Sequence, residues 1–278
     1  MLLRMETLAG AMFGFCVVAT LAEAGVAWRK QRRIYERAEL GADLRCAVVG
    51  FGVLALHRGM FLGLYAAVHH AFGAAWFGWH GVLGWLACFL IYDFVYYVDH
   101  RTTHGVGLLW ASHQVHHQTR AFHLLTGLRM SAFGPLFGYP FRLPLALLGV
   151  PPALYVSVDV IHALWTYFLH ARFVPELGRI GWVFNTPAHH RVHHSAEPRH
   201  FGRNYGGVLL VWDRLFKSYA APEPVSAFGD GESRQALGPW HAHAELWRVF
   251  LRNLALFRGV VPWVAPSEQH GNSQRNFG

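Results

Sequence analysis

Long apolar stretches set the strongest limit on how this chain can fold. The segment Leu8–Trp28 is a run of 21 residues with a single charged side chain. A transmembrane helix needs about 20 mostly apolar residues. Two more apolar stretches follow. Trp76–Val98 is a further span, and Cys46–Phe72, which is interrupted by His57 and Arg58, is either a span with a polar kink or a buried interfacial helix. The pattern predicts an all-α integral membrane protein.

Two later apolar segments add to this prediction. Ala132–Val150 and Pro151–Leu169 favour a helical hairpin that turns at the prolines near residue 151. We therefore expect about four transmembrane helices, some of them paired as a hairpin. The basic cluster at residues 29–37 belongs in the cytoplasm by the positive-inside rule. With that orientation, all the histidine-rich segments emerge on the cytoplasmic face as a helical cap.

The charge of the chain does not indicate nucleic-acid binding. The formal net charge is +8, but charged residues make up only 14% of the sequence, compared with about 25% in soluble domains. Many basic residues flank apolar runs, as in the cluster at residues 29–37. That placement suits lipid headgroups, so we expect the bilayer as a partner and no nucleic acid.

The 20 histidines are unevenly distributed. They include an HxxxH window and two HxxHH windows. Histidines three and four residues apart share one face of a helix, and neutral imidazole binds iron, zinc, copper and nickel. Eight histidines exceed what one such ion accepts, so the windows predict two metal ions. The residues are His100, His104, His113, His116, His117, His190, His193 and His194.

For the histidines outside the three windows, the position in the chain indicates whether they are ligands or supporting residues. His170 ends the second helix of the predicted hairpin and is expected beside the windows as a ninth ligand. His162 lies eight residues earlier, about 12 Å along a helix, so we expect a supporting role for it. His189 is a further supporting candidate. Carboxylates orient ligating imidazoles through their other ring nitrogen, and Asp93 and Asp99 are the candidates for that role.

Three strings resemble one known family. They are residues 93–104 with residues 109–117, then Asn185-Thr-Pro-Ala-His189-His190-Arg-Val-His193-His194, and finally Asn204-Tyr-Gly-Gly207 followed by residues 210–216. Together they resemble the fatty acid hydroxylase superfamily, also called the sterol desaturase family. The last two strings look nearest to the branch with alkylglycerol monooxygenase and bacterial sterol-desaturase-like proteins. The resemblance covers residues 83–219, and Lys217 stands where the family usually has glycine.

The resemblance implies a fold, a cofactor and a reaction. It implies a helical membrane domain with a non-haem di-iron centre that uses O2 to hydroxylate or desaturate a C–H bond of a lipid. The nine histidines named above match the family's ligand positions, and Asn204 is a supporting candidate. We expect an external electron donor, whether a partner protein or a small reductant. The expected regions are a membrane-spanning part (residues 1–82), a catalytic domain (83–219), and a C-terminal loop, surface helix and tail (220–278).

Two other functions are weighed against this one. A membrane metal transporter or metal-binding protein without redox chemistry is the main alternative, but a transporter places ionisable ligands along a path through the bilayer. A zinc-dependent hydrolase needs a general base, as in HExxH, and the sequence has no such string. Imidazole ligands alone suit zinc as well as iron, so the choice of iron comes from the resemblance.

Overall fold

The computed structural model describes residues 2–74, 77–132 and 134–230, and this part of the chain is helical apart from two isolated antiparallel bridges. Short 3-10 turns and loops connect the α-helices. The helices are α1 (Leu2–Arg29), α2 (Arg37–Phe72), α3 (Gly81–Gly105), α4 (Gly107–His117), α5 (Gly134–Arg142), α6 (Pro144–Leu147), α7 (Pro152–Phe168), α8 (Pro187–His193) and α9 (Val211–Leu215).

Three helices in the described part of the chain are long and apolar enough to cross a membrane. They are the Gly10–Arg29 part of α1, then α2 and α3. Helix α2 runs unbroken through the two polar residues in its middle because both have partners. Nδ1 of His57 lies 2.7 Å from the hydroxyl of Tyr139, and Arg58 pairs with Asp159.

The prediction of a membrane-spanning hairpin is wrong for its first half. Residues 132–150 form two short helices, α5 with nine residues and α6 with four. Even end to end, 13 residues rise only about 20 Å, less than the roughly 30 Å of the hydrocarbon core. Pro144 begins α6, and Pro140 lies inside α5 without an N–H to donate. Helix α7, the second half, has 17 residues.

Aromatic side chains hold the membrane helices together. The ring of Phe61 stacks on Tyr139 with centroids 4.0 Å apart, and Tyr65 stacks on Tyr155 at 4.6 Å. These contacts join α2 to α5 and α7, and the buried Cys88 on α3 belongs to the same core. Such ring pairs add stability beyond the area that they bury.

The outer surface of these helices is apolar. Phe13 on α1, Val48 on α2, and Val82 and Leu83 on α3 are each more than 70% exposed. Large exposed apolar surfaces are rare on water-soluble monomers. The three long helices and this surface are those of a membrane protein.

One end of the bundle carries the histidine windows. Val106 has extended backbone angles, so α3 ends at Gly105 and α4 begins at Gly107 in a new direction. The segment after α7 leads to α8, and residues 226–230 return to the site through a bridge between Ser195 and Phe228. The predicted surface helix and tail lie outside the described residues.

Candidate metal centre

The nine predicted histidines meet at this end of the bundle, from four separate elements. The last two turns of α3 carry His100 and His104. Helix α4 carries the second window, and α8 with its C-terminal residue carries the third. His170 lies just beyond α7, after the C-cap residue Leu169. The i, i+4 spacing within each window therefore places imidazoles on the inward face of each helix.

The imidazoles form two groups, and all the ligand atoms of a group lie within 4.8 Å of one another. The first group takes members from all three windows. The second combines His170 with residues of the second and third windows. The first group is His100, His104, His113, His117 and His193, and the second is His116, His170, His190 and His194.

The spacing of nitrogens within each group fits a shared metal ion. Nε2 of His113 lies 3.1 Å from that of His100 and 3.2 Å from that of His117. In the second group, Nε2 of His190 lies 3.1 Å from both His170 and His194. Imidazoles at right angles around one ion, each about 2.1 Å from it, have nitrogens about 3.0 Å apart.

Hydrogen bonds at the other ring nitrogen set the tautomers. Nδ1 of His100 donates to the carbonyl of Tyr205 at 2.8 Å, and Nδ1 of His116 donates to that of Arg129 at 3.0 Å. A carbonyl only accepts, so Nδ1 carries the proton and Nε2 has its lone pair free. The same pattern holds for His170 with Thr166 at 2.9 Å and for His193 with Arg203 at 2.9 Å.

Two buried nitrogens in the first group have no hydrogen-bond partner among the described residues. They are Nε2 of His104 and Nε2 of His193. An unpaired buried polar atom is costly, and both atoms belong to the group whose spacing fits an ion. The histidines therefore fit a metal ion in two ways, because their nitrogens have the right spacing and two of these nitrogens lack any other partner.

Burial also keeps the imidazoles neutral. It lowers the pKa of His116 to about 4, and it lowers the pKa values of six other imidazoles outside the membrane helices well below the usual histidine range. A metal ligand must be unprotonated, so these groups are ready to bind at neutral pH. The residues outside the membrane helices with strongly lowered pKa are His113, His117, His170, His190, His193 and His194.

Comparison with known proteins identifies this part of the chain. Residues 85–218 match the profile of the fatty acid hydroxylase family. This chain carries a fatty acid hydroxylase domain. The domain holds all nine histidines and helices α4 to α9.

The curated proteins that resemble this domain are named for different lipids. Alkylglycerol monooxygenase of Xenopus tropicalis is 30% identical over 197 residues, which are 69% of this chain and 44% of that protein. An ornithine lipid hydroxylase of Rhizobium tropici is 30% identical over 50% of this chain and 42% of its own length. A Delta(7)-sterol 5(6)-desaturase of Candida dubliniensis is 27% identical over 77% and 50%.

The chain spans half or less of the length of each of these relatives. No solved structure matches it significantly.

The fatty acid hydroxylase domain places the two predicted carboxylates away from the imidazole groups. Asp93 accepts hydrogen bonds from Nε2 of His162 and from the side chain of Trp212, and Asp99 pairs with Arg142. In the described part of the chain, neither carboxylate forms a hydrogen bond with any of the nine histidines. Both carboxylates were expected to orient imidazoles, and backbone carbonyls do so instead.

Three other predicted residues support the site from outside. His162 lies in neither group, since its ring sits between Asp93 and Tyr96 where Gly207 has no side chain to obstruct it. His189 bonds Thr186 through Nδ1 at 2.9 Å. Asn204, which has a positive φ of 56°, donates to the carbonyl of His189 at 3.1 Å and so holds α8 in place.

Several residues of the site were not predicted. Tyr205, Arg129 and Arg203 contribute backbone carbonyls, for which the sequence offers no side-chain signal. Phe122 stacks on His170 with ring centroids 5.5 Å apart. The ring of Phe228 in turn stacks on Phe122, with centroids 4.9 Å apart. Lys217 has a φ of 62°, a backbone conformation that favours glycine, which agrees with the glycine that the family resemblance leads us to expect at this position.

A cavity of about 440 Å³ leads to the imidazoles from the membrane helices. Such a volume is typical of sites for small ligands. Its inner end is formed by members of both groups, including His100, His113 and His190, and its walls include Phe51 and Leu164. The cavity therefore connects side chains of the membrane helices with the histidines.

Proposed function

We propose that this protein is a membrane-bound non-haem di-iron oxidoreductase. It uses O2 to hydroxylate or desaturate a C–H bond of a lipid substrate. The catalytic unit is the region 83–219, preceded by a membrane-spanning region (1–82) and followed by a C-terminal region (220–278). The nine histidines of the two groups hold the two iron ions.

One observation carries this proposal. Two compact groups of neutral imidazoles lie side by side at the inner end of a largely apolar cavity. Five ligands on one side and four on the other are enough for two ions, and the two groups interleave along α4 as His113, His116 and His117. Such a pair beside a lipid-sized cavity suits an oxidant acting on a hydrocarbon.

The protein's own residues position and protect this chemistry. An iron pair, when bound, supplies the oxidising power toward an unactivated C–H bond. Carbonyls of Tyr205, Arg129, Thr166 and Arg203 keep the Nδ1 protons in place, so that every Nε2 concerned points to its group. The apolar cavity walls exclude water from the reacting carbon.

The substrate class follows from the cavity and from the relatives. The curated relatives are named for alkylglycerol, ornithine lipid and sterol, which supports a lipid as the substrate here. The electrons come from an external donor, a partner protein or a small reductant.

We place the active site on the cytoplasmic side. The loop between α1 and α2 carries Arg32 and Arg33, and basic residues favour the cytoplasmic face. The neighbouring α2 begins at Arg37, and its first turns pack beside the histidine end through Asp43, which pairs with Arg129. The helical cap of α4 and α8 then faces the cytoplasm.

A metal transporter or storage protein is less well supported. A transport path would spread ionisable ligands across the membrane. The described groups instead converge at one end of the bundle, and the cavity that reaches them is lined mainly by apolar residues.

Metal analysis of the purified protein tests the proposal. Protein expressed with added iron should hold about two iron ions per chain, because each group offers a full set of imidazoles. His193→Gln, in the first group, and His190→Gln, in the second, should each lose about one ion. The matched control is His70→Gln, which replaces an exposed histidine of α2 that belongs to neither group.

A chain without bound metal after iron supplementation would contradict the proposal. A wild-type protein with full iron that oxidises no membrane lipid, when given O2 and a reductant, would leave the alternative of a metal-binding protein.

A further inference from the structure

The cavity that leads to the histidines contains charged side chains at the depth of the membrane helices. Two ion pairs line it, Arg58 with Asp159 and Arg142 with Asp99. Charged residues in a membrane segment are costly, and they often mark a functional site.

The two pairs form one continuous network. The hydroxyl of Tyr92 donates to Asp159, which also accepts from Arg58. Nε of Arg142 lies 3.5 Å from the same hydroxyl, and its Nη1 donates to Asp99 at 2.7 Å. The network therefore runs along the cavity from α2 and α7 to α3, toward the histidines.

Packing alone gives no reason for the network. Helices α2 and α7 already contact each other through Tyr65 stacked on Tyr155, and well-packed apolar residues replace buried ion pairs at little or no loss of stability. A polar group that enters the cavity would explain why charged residues remain there.

Arg58 has unused hydrogen-bonding capacity. A guanidinium has five N–H donors, and in the described part of the chain Asp159 is its one acceptor. Its side chain is 36% exposed and lines the cavity. Arg142 differs, because it is 13% exposed and already donates to Asp99, Tyr92 and a backbone carbonyl.

The charges of the network select the class of ligand. Two arginines and two aspartates cancel, so an anionic group would meet Asp159 as well as Arg58. A hydroxyl group complements the pair, because its oxygen accepts from Arg58 while its hydrogen is donated to Asp159. We propose that Arg58 and Asp159 bind a hydroxyl group of a neutral lipid substrate.

The proposal rests on the proposed function, since it takes the cavity as the substrate site. It also sets a distance. Tyr92, which contacts Asp159, lies eight residues before His100 on α3, so about 12 Å separate them along the helix. The bound hydroxyl is thus held about two turns of α3 away from the histidines, and the pair limits which carbons of the substrate can reach them.

Ligand binding without turnover tests the inference. Hexadecanol and hexadecane, which differ by one hydroxyl, are titrated into the detergent-purified protein in the absence of a reductant. A ligand that binds the folded state raises the unfolding temperature according to its dissociation constant. We expect hexadecanol to bind about tenfold more tightly, as one hydrogen bond to a charged group implies.

The variant Arg58→Met/Asp159→Asn removes both charges together, so neither is left unpaired, and keeps an acceptor for Tyr92. It should lose most of the tenfold preference for the alcohol, because the charged donor and the charged acceptor are both gone. The control Arg33→Met removes an exposed guanidinium from the loop before α2 and should keep the tenfold preference.

Equal binding of alcohol and alkane by the wild-type protein would overturn the inference, and so would no binding of the alcohol. A preference that persists in the double variant would do the same. These results do not depend on iron or O2. A protein that prefers the alcohol through Arg58 but oxidises no lipid would therefore contradict the proposed function and not this binding site.

Discussion

Nδ1 of His116 donates to the backbone carbonyl of Arg129 at 3.0 Å, while the guanidinium of Arg129 binds Asp43 at 2.8 Å. Both partners of this ion pair are fully buried. One residue thus ties the second imidazole group to helix α2, through its backbone on one side and its side chain on the other. The same side chain donates to the carbonyl of Val115 on α4 at 2.6 Å.

We expect Arg129→Met to weaken both the fold and the second group. It leaves the carboxylate of Asp43 buried without its cation, which costs about 3–5 kcal/mol of the free energy of unfolding. The carbonyl that orients His116 then shifts, and iron per folded chain falls from about two toward one. Thermal unfolding and metal analysis of the folded fraction measure the two effects.

Arg129→Met combined with Asp43→Leu is the matched comparison. It removes both charges and should recover much of the unfolding temperature. If iron per folded chain stays at the wild-type value in both variants, Arg129 stabilises the fold without positioning His116.

We expect Asp93→Asn to destabilise the protein while the folded fraction keeps its metal. Asp93 accepts from His162 at 2.9 Å and Trp212 at 2.8 Å, and from the backbone of Val208 at 2.8 Å and Leu209 at 3.2 Å. An amide nitrogen in place of one oxygen leaves two of these donors unpaired, at about 1–3 kcal/mol each.

The measurement for Asp93→Asn is again the unfolding temperature together with iron per folded chain. A folded variant that has lost iron would show that this carboxylate acts on the ligands after all. Glu36→Gln, an exposed change before α2 where no side-chain cap bond forms, serves as the control and should change neither quantity.

Removal of the metal is expected to lower the unfolding temperature by about 5 °C or more. Bound ions would join α3, α4 and α8 to His170, which lies just beyond α7, and without ions the Nε2 atoms of His104 and His193 are buried without partners among the described residues. Differential scanning calorimetry before and after chelation, and again after iron is returned, tests this. The double variant His190→Gln/His193→Gln should respond little to the chelator, and an equal response would contradict the prediction.

The histidine windows show what a local pattern can predict. The i, i+4 spacing of His100 and His104 needs only a helix to place both rings on one face, and α3 supplies it. How the nine histidines divide into two groups, by contrast, depends on the tertiary structure. His116 and His117 are adjacent in the chain but belong to different groups, because neighbouring residues on a helix point about 100° apart.

The membrane helices also show which features a local pattern can predict and which it cannot. Length and apolarity were enough to predict α1, α2 and α3 as candidate spans. They were not enough for residues 132–150, where prolines cut an apolar segment into two short helices that pack inside the bundle.

The sequence by itself determined the helical membrane class, the imidazole-rich windows and the resemblance to a lipid-oxidising family, because these depend on composition and on spacing within single helices. Only the tertiary structure decided which imidazoles share a group and which backbone carbonyls accept hydrogen bonds from their Nδ1 atoms. It also decided that Asp93 and Asp99 bind other residues instead of the nine histidines. Those relations join residues far apart in the chain, such as His100 with Tyr205, and backbone groups carry no mark of them in the sequence. The cavity that unites Arg58 with Asp159 depends on the packing of α2 against α7 and has the same origin.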